Sequence, residues 1–194
     1  MSQNDSSQNA QPVARTVAAA DHGKLDIQAL VLLAVLLAAG FILNFTVGKA
    51  ISGISGGLIS PEFTISAFCL TILVVRPSVG QALVIGLISA AVIQITTTSP
   101  FIDFAAEGIA AMLMALIVRV GMGSGAKKVV PLIGSFVTTA VSGVIFMLIK
   151  IAMVGAAGEL AAAMLPVVLL TAAFNAVLVQ ALYLPIRKAL KLAD

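Results

Sequence analysis

The chain has 194 residues, 60% of them hydrophobic and 10% charged, with 11 Lys and Arg against 8 Asp and Glu. Soluble domains carry roughly 25% charged residues, and a mean hydropathy of +1.14 is too apolar for any water-soluble core of this length to hide. Composition therefore excludes a soluble globular domain and makes the bilayer the solvent.

Residues 1–26 are polar and small, rich in Ser, Gln, Asn and Ala, and read as a disordered cytoplasmic tail. Six apolar runs follow, at 27–47, 58–75, 79–97, 101–118, 129–154 and 160–184. The first is too long for a signal-peptide core and has no clear small-x-small cleavage site after it, so it reads as a retained helix. Each run is continuously apolar, which fits helices and not the alternating strands of a barrel. At 1.5 Å per residue each is about long enough for a hydrocarbon core of roughly 30 Å. Arg76-Pro77 makes a sharp stop after the second run. A glycine-rich stretch at 121–125, followed by Lys127 and Lys128, makes a basic loop after the fourth. Residues 48–60, with four glycines and three serines, read as a loop long enough to fold over a pocket as a lid, or as a plain connection. A short cytoplasmic tail, 189–194, ends the chain.

The predicted fold class is thus all-α, a polytopic membrane bundle of six transmembrane helices over 27–188. Orientation follows from the basic residues. With the N-terminus inside, Arg15, Lys24, Arg76, Arg119, Lys127, Lys128, Arg187, Lys188 and Lys191 lie inside, and only Lys49 and Lys150 outside. That asymmetry places both termini in the cytoplasm. Excess Lys and Arg spread over several loops set topology and give no nucleic-acid patch. Cys69 is a lone small apolar residue within a run, with no disulfide framework around it.

Polar groups near the spans gather toward the outer side. Asn44 ends the first span, Lys49 follows it, and Glu62 and Phe63 lie at the start of the second. Gln94 and Thr97 end the third, Asp103 and Glu107 open the fourth, and Lys150 is near the outer end of the fifth. Asn175 is the exception, at mid-depth in the sixth. Ionisable groups at membrane depth are costly and usually face a bundle interior, which makes this set a candidate substrate site. Asp103 and Glu107, four apart, share a helix face and would suit an amine, a cation or a proton. Equally, they would suit a helix N-terminus, which favours acids. Lys150 would also reach the surface by snorkelling, and Glu62 would also serve as a first-turn acid. Phenylalanines 41, 45, 63, 101 and 104 lie at the same depth and would line a pocket for an apolar body.

Other chemistries drop out. His22 is the only histidine and lies in the tail, so His-based metal sites and Ser-His hydrolysis are excluded. The stretch 121–128 lacks Walker A spacing and a preceding strand. No enzyme is expected, and no cofactor; a pump built on this chain takes its ATP hydrolysis from partner subunits.

Ala34-x-x-x-Ala38 in the first span, extended by Ala39 and Gly40, is similar to the small-residue motif of substrate-binding S components of energy-coupling-factor (ECF) transporters. Within these, residues 25–190 resemble the bacterial tryptophan-transporter family most. Pro61-Glu62-Phe63 looks like the family's Pro-Asp lead-in to the second helix, and Thr96-Thr97-Thr98-Ser99-Pro100 like its Thr-Thr…Pro turn. Val141-Ser142-Gly143-Val144-Ile145-Phe146 and Tyr183-Leu184-Pro185 fit its last two helices. The family's Asp-Lys pair is replaced here by Ala106-Glu107, with Asp103 near the family's Asn. The resemblance implies a substrate-capture subunit in a prokaryotic plasma membrane, docked through Ala34 and Ala38 on a transmembrane coupling subunit with two ATPase subunits. It implies tryptophan or a related amino acid as substrate, else a vitamin or precursor, and a capture subunit that topples in the membrane to release its load. The alternative is a stand-alone secondary transporter with Asp103 and Glu107 as a proton or Na⁺ site.

Overall fold

The structure, a computed structural model, describes residues 25–191 apart from 98, 126 and 156. The tail with Arg15, His22 and Lys24, Thr98 of the threonine turn, and residues 192–194 lie outside the described residues. All the regular structure described is helical. Helix α1 (Ile27–Leu43) runs through a π turn, Asn44–Gly48, into a short α2 (Lys49–Ile54). Then come α3 (Phe63–Val75), α4 (Val79–Ile93), α5 (Ile102–Gly121), α6 (Val130–Val154) and α7 (Ala157–Ala189).

Four helical stretches are long and apolar enough to cross a membrane: Ile27–Ile54, Ile102–Gly121, Val130–Val154 and Gly158–Ala189. Their outward faces carry large apolar side chains, including Val35, Ile42, Ile133, Leu148, Leu169 and Val177. So wide an apolar exterior belongs against lipid, and the protein is a membrane protein. The other two helices are shorter than the runs 58–75 and 79–97 led us to expect. At 1.5 Å per residue, α3 with 13 residues and α4 with 15 rise only about 20 and 22 Å.

The reason for the short α3 lies in its lead-in. Pro61 fixes its own φ and biases Ser60 toward extended backbone, so residues 59–62 are non-helical. Their polar backbone is satisfied from a neighbour. The Ser60 amide donates to Thr171 Oγ1 at 3.3 Å, and the Thr171 hydroxyl donates back to the Ser60 carbonyl at 3.0 Å. Irregular backbone at membrane depth survives only with such partners. The expected open loop at 48–60 is likewise corrected: its first half is helix α2, because the π turn lets α1 carry on past Gly48.

Helix α3 is the hub. It packs on α1, α4, α5, α6 and α7, and every residue from Phe63 to Val74 is buried. Phe68, Cys69, Ile72 and Leu73 form the centre of the core with Leu33, Ile85, Met114 and Val179. Cys69 is a free buried thiol there, packed as a small hydrophobe. Glycines allow close helix approaches. A Cβ on Gly40 would lie 2.9 Å from the Phe63 carbonyl, and one on Gly86 would lie 2.6 Å from the Glu107 carbonyl. This separates Gly40 from the small face expected of α1: Ala34, Ala38 and Ala39 are exposed, whereas Gly40 is buried against α3. Arg76 ends α3 in the left-handed conformation (φ 53°), where Pro77 disfavours further right-handed helix.

Candidate functional site

Between the π turn and α2, the α3 lead-in, the α4–α5 turn and the start of α5 on one side, and α6 and α7 on the other, lies a cleft of about 600 Å³. Cavities of roughly 300–1,000 Å³ suit small-molecule ligands. Its polar wall includes Asn44, Lys49, Glu62, Thr97, Asp103 and Glu107. Six candidates scattered over 64 residues of chain are thereby brought to one place. Phe63, Gln94, Lys150 and Asn175 are not on its wall.

Glu107 is the deepest acid. It is 3% exposed, and its Oε1 accepts from the Ser142 hydroxyl at 3.1 Å. Its Oε2 is buried with no hydrogen-bond partner among the described residues. Asp103, one turn earlier on the same face of α5, is also buried and accepts from Gln94 Nε2 at 3.1 Å. Gln94 in turn takes the Phe101 amide on its Oε1 at 2.9 Å. That second bond pins a turn in which Phe101 is left-handed (φ 70°), an unfavourable backbone for a bulky residue. Gln94 is therefore a positioning residue for Asp103. First-turn placement still suits Asp103 as a helix-end acid, but Glu107 sits beyond that turn and is bonded to a neighbouring helix.

The π turn does similar work for Asn44. Its Oδ1 accepts from the Phe63 amide at 2.9 Å and its Nδ2 donates to Thr64 Oγ1 at 3.0 Å. π turns occur mostly as single turns inside α-helices, frequently at functional sites, and here the turn carries the Asn44 side chain to the first amide of α3. Asn175, fully buried on α7, donates to the Glu62 carbonyl at 3.1 Å and to Thr139 Oγ1 at 3.5 Å. It braces the α3 lead-in from behind the cleft wall.

Both lysines of the outer set rest over aromatic rings. Lys49 Nζ is 4.5 Å from the Phe45 ring centre at the cleft, and Lys150 Nζ is 5.6 Å from that of Phe146, within the range of cation–π attraction. Among the five phenylalanines singled out from depth, only Phe45 lines the cleft; Phe146 joins it instead. Phe63 is buried edge-on to Phe174 at 6.0 Å between ring centres, and Phe101 is 77% exposed. Depth alone does not set the direction of a side chain, which depends on the rotation of each helix.

On α6 and α7, three hydroxyl residues of the wall, Thr139, Ser142 and Thr171, were not among the sequence candidates. A signal for two of them was present. Ser135, Thr138, Thr139 and Ser142 recur at three- and four-residue spacing in α6, which is apolar but for these and Lys150, and all four are buried. Such a stripe marks the face turned into the bundle.

The chain matches no known family model, no curated protein and no solved structure.

Proposed function

We propose that the protein captures a small organic nutrient from outside the cell as the membrane-embedded S subunit of an ECF-type importer. The observation that carries this reading is the cleft: three acids, hydroxyl groups and apolar side chains from six separate parts of the chain share one wall. Burying carboxylates at membrane depth is costly and points to a ligand or ion, and Glu107, beyond the first turn of α5, has no helix-end role to account for it. In this reading α3 and α4 complete six passes, and both termini face the cytoplasm of a prokaryote. The cleft then faces outward, consistent with the basic residues gathered at the opposite ends of the helices.

Ala34 and Ala38, exposed on α1, supply the contact with a transmembrane coupling subunit, and two ATPase subunits supply energy. The chain is then a binding subunit, not an enzyme, and holds no cofactor of its own. The acids would take an amine and the apolar wall the body of the solute. Tryptophan or a related amino acid is the first solute to test, following the sequence resemblance, and a vitamin or precursor the second.

A second reading rests on the unpartnered Glu107 Oε2. One turn from Asp103, it would serve as a proton or Na⁺ site of a stand-alone secondary transporter. The purified chain in liposomes separates the two. Binding without uptake supports capture; concentrative uptake driven by a proton or Na⁺ gradient, with no ATPase present, would replace capture by secondary transport. Failure to bind any amino acid, amine or vitamin in equilibrium titration would remove the capture reading.

A further inference from the structure

The cleft wall is unbalanced in charge in a way that narrows the solute. Among the described residues it carries three carboxylates, Glu62, Asp103 and Glu107, against one ammonium, that of Lys49. Lys49 is exposed and already rests on the Phe45 ring, while Lys150 is not on the wall. An amino acid would bring its own carboxylate into this acidic space and find one cation to meet it. From the geometry we infer that the cleft selects an organic cation without a carboxylate, an amine on an apolar or aromatic body, whose ammonium sits on Glu107 Oε2. The inference rests on the capture reading and narrows its substrate class.

Three observations carry it besides the charge count. Glu107 Oε2 is an acceptor in a residue only 3% exposed, left with no donor. Such an atom is costly unless something supplies a hydrogen bond, and an ammonium brings three. Secondly, among the described residues no three Asp, Glu, His or Cys side chains converge as a metal site would require. The acids are spread along the wall, which suits a molecule better than a bare ion. Thirdly, Ile65, Phe146, Met164 and Val168 share that wall, giving an apolar body somewhere to lie. Aromatic faces such as Phe146 also attract organic cations.

Tryptophan and tryptamine have the same indole body and differ in the carboxylate, so together they isolate the inference. The chain has no Trp and one Tyr, and indole fluorescence of either ligand can be followed on the purified full-length protein in detergent. Tryptamine is expected to bind at least tenfold more tightly than tryptophan. Glu107→Gln keeps an oxygen for the Ser142 hydroxyl but loses the charge, and should weaken tryptamine binding at least tenfold with an unchanged melting profile. Equal or tighter binding of tryptophan overturns the inference while leaving capture standing. A folded Glu107→Gln protein with undiminished tryptamine affinity also overturns it. Should that variant not fold, the comparison of the two ligands on the unaltered protein decides. If neither ligand binds, the inference falls, and the capture reading falls with it if amino acids, other amines and vitamins fail as well.

Discussion

Asn44 Oδ1 accepts the Phe63 amide at 2.9 Å, so a residue of the first membrane helix caps the helix at the centre of the bundle. Glu62, at the usual capping position of α3, makes no such bond with its side chain. The cap comes from 19 residues away and also ties α1 to α3 through Thr64. Asn44→Ala should therefore destabilise the protein by about 1–2 kcal/mol, as losing a helix cap does. Asn44→Asp keeps the accepting oxygen and should cost less. Thermal melts of the two variants in detergent give the comparison, and equal melting temperatures for Asn44→Ala and the unaltered protein would refute the cap.

Gln94 holds Asp103 and the Phe101 amide at once. Removing it in Gln94→Ala leaves a buried carboxylate with one donor fewer, at a cost of about 1–3 kcal/mol. Gln94→Glu loses the same donor and adds a like charge beside Asp103, so it should destabilise further. The expected order of melting temperatures is unaltered protein, then Gln94→Ala, then Gln94→Glu. A reversed order for the two variants would mean that Asp103 is not held as described.

Gly86 lets α4 lie on α5. Its added Cβ would meet backbone at 2.6 Å and the Ala111 methyl at 2.8 Å, neither of which moves without shifting a helix. Gly86→Ala should cost about 1–3 kcal/mol by overpacking. Gly80, on the same helix, has nothing within 4 Å of an added Cβ. Gly80→Ala should be neutral or stabilising by about 0.5–1 kcal/mol, because alanine loses less backbone freedom on folding. The two melts together test whether close packing or helix propensity governs α4.

Arg76 occupies the left-handed region with φ 53°. That backbone costs an L-residue about 1–2 kcal/mol, so Arg76→Gly should leave stability unchanged or raise it by up to about 1 kcal/mol. Arg76→Val should lower it, since β-branching is worst tolerated there. Chemical or thermal unfolding of both variants reads the difference, and a Val variant as stable as the Gly variant would contradict the turn geometry.

Much of this protein is legible along the chain. Hydropathy alone marks a helical membrane protein, because lipid admits only structures that satisfy their own backbone. Pro77 and the glycine-rich stretch 121–125 mark two of the breaks, since proline and glycine act on the local backbone wherever they stand. Polar residues at depth point to one end of the bundle, and the cleft wall includes Glu62, Asp103 and Glu107 from that set. Tertiary structure decided the rest. In a bilayer the lipid-facing and protein-facing sides of a helix are almost equally apolar, so periodicity does not reveal how each helix is rotated. Packing made α3 the buried hub, turned Phe45 and Phe146 into the cleft and Phe101 out of it, and set Asn44 and Gln94 to hold neighbouring backbone. It also paired Ser142 with Glu107 across 35 residues and left the second oxygen of that carboxylate bare. Contacts of that kind depend on which helix faces meet, which the order of residues along one helix does not encode.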